Sequence, residues 1–74
     1  MHGQYIAKVN GEPEKSKTSD IQLSSMEEVF DWYIKTIRVI PLSFSEESFE
    51  KTDSEWRLKK AEGDCESVIL KLID

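Results

Sequence analysis

Five carboxylates and one lysine fall within Glu46-Glu47-Ser48-Phe49-Glu50-Lys51-Thr52-Asp53-Ser54-Glu55. Read as an extended strand, this segment projects Glu46, Ser48 and Glu50 from one face, neighbours about 6.8 Å apart, and Glu47, Phe49 and Lys51 from the other. A row of negative charge with an aromatic ring beside it suits docking on a basic groove, and its regular spacing imitates a nucleic-acid backbone. The same composition serves an edge strand that uses charge to prevent aggregation. As a catalytic pair Glu46 and Glu47 are poorly placed, because neighbours on a strand point to opposite faces and cannot flank one bond.

The remaining chemistry is sparse. There is one histidine, His2, and one cysteine, Cys65. One of each cannot assemble a structural zinc site, and the acids do not follow the alternating ligand pattern of a calcium loop. A nucleophilic serine or Cys65 needs a base beside it, and His2 sits on a terminus. Gly3, Gly11 and Gly63 are scattered and form no phosphate-cradling loop. The inventory therefore predicts no catalytic residue, no metal and no cofactor. Trp56-Arg57-Leu58-Lys59-Lys60 could stack on single-stranded nucleic acid, but the formal charge of −5 opposes this. A strand with a buried Trp56-Leu58 face and a solvated Arg57-Lys59 face accounts for the same pattern, its cations paired with an acidic neighbouring strand.

The elements that position these residues can be read from periodicity. Gln4 to Val9 alternates like a strand, with Tyr5 on the core side, and Asn10-Gly11 supplies a hairpin turn. Residues 12–20 lack large apolar side chains and read as a long loop or a solvated edge hairpin, followed by a short strand at 20–23 with Ile21 and Leu23 on one face. Ser24 with Glu27, or Ser25 with Glu28, forms a capping box that starts a helix. Met26, Val29, Phe30, Tyr33, Ile34 and Ile37 make its core stripe, Lys35 and Arg38 suit its C-terminal dipole, and Pro41 ends it by disfavouring a helical Ile40. Trp32 lies about 100–120° from the stripe centre and either edges the core or serves as a contact anchor. Strands over 42–51, 54–61 and 65–73 then form an antiparallel meander, the last apolar on both parities and therefore central or covered on both faces.

The predicted fold is α+β, a single domain over 1–74 in the order β-β-α-β-β-β, with one helix on an antiparallel sheet. A chain of this length buries one small core and cannot also wall a deep cavity, so an interaction surface is the expected functional device. Cys65 cannot form an internal disulfide, which favours a reducing cytoplasm, and the sequence shows neither an export signal nor a membrane span. Net negative charge makes a basic protein surface the natural partner, rather than nucleic acid or membrane, although acidity also serves plain solubility.

An opening strand like Gln4-Tyr5-Ile6-Ala7-Lys8-Val9, a polar hairpin, one capped helix and an acidic meander together resemble small phage-encoded inhibitors of host systems, such as anti-CRISPR proteins and uracil-DNA glycosylase inhibitors. The resemblance is one of layout and implies stoichiometric inhibition, in the host cytoplasm, by occupying a partner's nucleic-acid-binding surface. The residues expected to contact that partner are Glu46, Glu47, Glu50, Asp53, Glu55, Trp32 and Phe49. The alternative is a structural subunit that self-associates through an uncovered sheet face or edge.

Overall fold

The computed structural model describes residues 1–37 and 45–74. Arg38, Ile40, Pro41 and the start of the 42–51 strand lie outside the described residues. The elements are β1 (His2–Val9), β2 (Lys15–Gln22), α1 (Met26–Thr36), a short 3₁₀ turn (Glu46–Ser48), β3 (Phe49–Lys51), β4 (Glu55–Leu58) and β5 (Cys65–Ile73). All strand pairs are antiparallel in one sheet ordered β2-β1-β5-β4-β3, which gives the expected α+β layout.

β5 takes the centre because it is apolar on both parities. Val68, Leu70 and Leu72 face the helix, while Ile69 and Ile73 occupy the opposite face. Gly11, at φ +82°, turns the chain between β1 and β2, and Gly63, at φ +55°, turns it before β5; a side chain is disfavoured at both angles. Residues 15–22 form the solvated edge strand of the first hairpin, so the edge-hairpin reading of 12–20 is the correct one.

Ser25 caps α1, its Oγ accepting from the Glu28 backbone N–H at 3.3 Å. The Glu28 carboxylate reaches past Ser25 to accept from both the backbone N–H and the hydroxyl of Ser24. Those bonds hold its pKa below the usual carboxylate value. Of the two boxes the sequence offered, the one on Ser25 supplies the cap, and its acid, Glu28, closes back on Ser24. Met26, Val29 and Tyr33 of the predicted stripe are buried with Leu23, Phe49, Trp56, Val68 and Leu70, and Phe30, Ile34 and Ile37 pack around them.

Three expectations are corrected. Of the described part of the strand predicted over 42–51, residues 45–51, only Phe49–Lys51 is strand: Ser45 and Ser48 bond each other's backbone and bend Glu46–Ser48 into a turn. The strand predicted over 54–61 stops at Leu58, after which the Lys59 N–H donates to the Ser48 carbonyl. Ile21 and Leu23 do not share an environment: Ile21 is 58% exposed and Leu23 is 7% exposed. The cause is an irregularity where β1 pairs β2, between His2 and Gln4. There the buried Ser19 hydroxyl accepts from the Gly3 N–H and donates to the Ile21 carbonyl, bending the edge strand.

Candidate functional site

The acidic residues singled out in the sequence do not form one row. Glu46 leaves the strand for the 3₁₀ turn and pairs with Lys51 at 3.1 Å. Glu47 is exposed in the same turn, its pKa lowered by hydrogen bonds to its own backbone N–H and to Ser45. Glu50 is exposed on β3 directly opposite Arg57. Glu55 lies beside Arg57 and within 3.9 Å of Lys71, and its hydrogen bond from Arg57 keeps it ionised. Asp53 is exposed in the β3–β4 turn. The even spacing that suggested a nucleic-acid backbone is therefore absent, because the i→i+3 bonds of the 3₁₀ turn replace the strand's two-residue period.

Phe49 is corrected as a surface contact. It is 2% exposed, with its ring edge-on to Phe30 at 5.7 Å and tilted against Trp56 at 6.3 Å. Trp32 is half-buried at the margin of the core, 5.8 Å from the Tyr5 ring, which in turn meets Tyr33 edge-on at 5.3 Å. Of the two roles considered for it, the structure shows the core-edge one, with part of the ring left accessible.

Strand alternation sorts the charges by face. Gln4, Ile6 and Lys8 of β1, Ile69 and Lys71 of β5, Glu55 and Arg57 of β4 and Glu50 of β3 share the face away from α1. The cross-strand pairing expected of the Trp56–Lys60 cations is replaced at Arg57 by an ion pair with Glu55 of its own strand, and Glu50 on the neighbouring strand lies opposite it in the ladder. Trp56 and Leu58 point to the helix side, as predicted, and Trp56 is buried.

The helix start and the β3–β4 turn meet at one end of the sheet and enclose an open groove of about 450 Å³. Ser25, Glu27, Asp53 and Lys51 line its walls over Met26 and Trp56. The Lys51 ammonium is engaged twice, 3.1 Å from Glu46 and 4.5 Å from the Trp56 ring centroid. Among the described residues, neither Glu27 nor Asp53 makes an ion pair. The sequence marked Asp53 as a contact but gave Glu27 only a part in the helix start, as a capping-box acid. What brings them together is the β4–β5 and β1–β5 pairing, which local periodicity does not reveal.

His2 is held against the edge strand β2. Its Nδ1 lies 3.1 Å from the Ser19 carbonyl, which can only accept, so Nδ1 carries the proton and Nε2 accepts from the Gln22 amide at 3.2 Å. The Cys65 thiol is pushed above its ordinary pKa by burial and by Asp64 and Glu62, the opposite of an activated nucleophile. Among the described residues no group of three or more His, Cys, Asp and Glu is arranged to hold a metal ion, and no helix is long and apolar enough to cross a membrane. No protein-family model, no curated protein and no solved structure matches this chain.

Proposed function

We propose that this chain is a non-enzymatic binding protein that docks on a basic surface of a partner protein, of the kind that nucleic-acid-handling proteins carry, and modulates or inhibits that partner by covering it. The observation that carries this reading is the groove at the helix start. It holds two exposed carboxylates, Glu27 and Asp53, that make no ion pair among the described residues, while Lys51, which also lines it, is taken by Glu46, and Glu55 is matched by Arg57 and Lys71. A partner's arginine or lysine would supply the missing countercharge. Glu28, kept ionised by Ser24, extends the negative potential along the first helical turn. Its cost is small because the groove is open, so the carboxylates stay hydrated until the partner arrives. A reducing cytoplasm suits the single free Cys65.

The test is an affinity capture from cytoplasmic extract at low and high salt, followed by mass spectrometry and binding measurements on the purified partner. Wild type is compared with a Glu27→Gln/Asp53→Asn variant and with a Glu14→Gln/Asp64→Asn control of the same net charge. At about 0.2–1 kcal/mol for each exposed pair, the groove variant should bind about two- to thirtyfold more weakly, with a flatter salt dependence. Equal weakening by the control would assign the effect to net charge alone and remove the groove from the site.

A further inference from the structure

His2, the chain's single histidine, belongs to a run of hydrogen bonds at the open end of the first hairpin. The Met1 amine donates to Gln22 Oε1 at 2.7 Å, and the amide of the same side chain donates to His2 Nε2 at 3.2 Å. His2 Nδ1–H donates to the Ser19 carbonyl at 3.1 Å, beside the buried hydroxyl that bends β2. His2 and Gln22 are the last pair of the β1–β2 ladder, and the Leu23 N–H then donates to the Met1 carbonyl at 2.7 Å. Leu23 is a core residue, and the chain passes from it to the Ser25 cap of α1. Both imidazole nitrogens are therefore engaged, and Nε2 must be without a proton to accept its bond.

We infer that His2 is a pH-sensitive latch on this end of the hairpin: the neutral ring ties β1 to β2, and the protonated ring releases the strand end that leads into α1. A second proton makes Nε2 a donor facing an amide that also donates, so that bond is lost. Turning the Gln22 amide over does not restore the network, because its NH2 would then face the Met1 amine. Of the charged groups around the ring, the Met1 amine lies on its own strand and Asp20 lies next to Ser19 on β2. On β5, Lys71 precedes and Asp74 follows Ile73, the residue opposite His2. Lys71 is within 3.9 Å of Glu55 on β4, and α1 packs on the other face of the sheet, where Gly3 meets Val29. Cations and carboxylates are both present, so the hydrogen bonds, which accept one protonation state only, set the response.

The latch does not rest on the groove reading and is tested without a partner. In the isotope-labelled full chain at about pH 8, the imidazole nitrogen shifts in NMR should report a proton on Nδ1 and none on Nε2. Acidification to about pH 5 crosses the range in which histidine changes charge. After correction for the intrinsic effect of pH, hydrogen exchange at the Leu23 amide should speed about two- to twelvefold relative to the Ile69 amide at the sheet centre, as expected for the loss of one hydrogen bond. His2→Gln, which does not titrate, should exchange alike at both pH values. Gln22→Glu, which offers the ring an acceptor in place of a donor, should invert the response, so that Leu23 exchanges more slowly in acid. A proton on Nε2 in the neutral ring, or a Leu23 rate that ignores acidification, would overturn the inference. So would an equal response in His2→Gln, which would trace the effect to Asp20 or Asp74.

Discussion

Gly3 is the position at which the packing of helix on sheet can be tested most sharply. It is not there for its dihedral angles, since only Gly11 and Gly63 have positive φ among the described residues. It is there for space. A Cβ at Gly3 would lie 2.7 Å from Leu23 Cδ1 and 3.2 and 3.3 Å from the two Val29 methyls. Leu23 Cδ1 is the end of a rotatable side chain and can yield in part, but Val29 is fully buried and β-branched, with one favoured rotamer in a helix. Overpacking of this kind costs about 1–3 kcal/mol, and the loss of glycine's unfolded-state freedom offsets about 0.4–1 kcal/mol. Gly3→Ala should therefore destabilise the fold by about 1–2 kcal/mol, which at about 4–8 °C per kcal/mol is readily resolved in a domain of this size. Urea denaturation should show a lower midpoint with an unchanged slope. Leu23→Val removes the nearest atom, so in that background the Gly3→Ala penalty should fall by about half, the remainder belonging to Val29. A neutral or stabilising Gly3→Ala, or a penalty that ignores residue 23, would refute the close approach of helix and strand.

Three further outcomes follow from buried or bonded groups. Ser19→Ala strands the Gly3 N–H in a buried setting and should cost about 1–3 kcal/mol by urea denaturation, with local loss of hydrogen-exchange protection at Gly3; full protection there would show that the hydroxyl is dispensable. Burial raises the Tyr33 phenol above its ordinary value, so the native state keeps a proton that the unfolded chain releases above about pH 10. Its contribution is complete below that pH and is lost as pH rises, so the alkaline fall in the urea midpoint should be shallower in Tyr33→Phe; parallel curves would reject this. Cys65 should alkylate several-fold more slowly at neutral pH than a free cysteine, and Asp64→Asn should speed it, whereas a free-cysteine rate in the wild type would contradict the raised thiol.

Features controlled by neighbours in sequence were legible in advance. Serines at 24 and 25 with acids three residues on mark a helix start because capping is local, and a Val68–Ile73 run apolar on both parities can only lie inside a sheet. The acidic segment misled because period-two reasoning sees side-chain alternation and not the bonds between Ser45 and Ser48 that fold Glu46 and Glu47 into a turn. Phe49 was placed on the surface for the same reason: once Glu46–Ser48 is a turn, Phe49 is the first strand residue and points under Phe30. Ile21 escaped because its environment depends on Ser19 meeting Gly3 across the hairpin, sixteen residues away in the chain. The pairing of Glu27 with Asp53 in one groove needed the sheet order, which no local pattern contains.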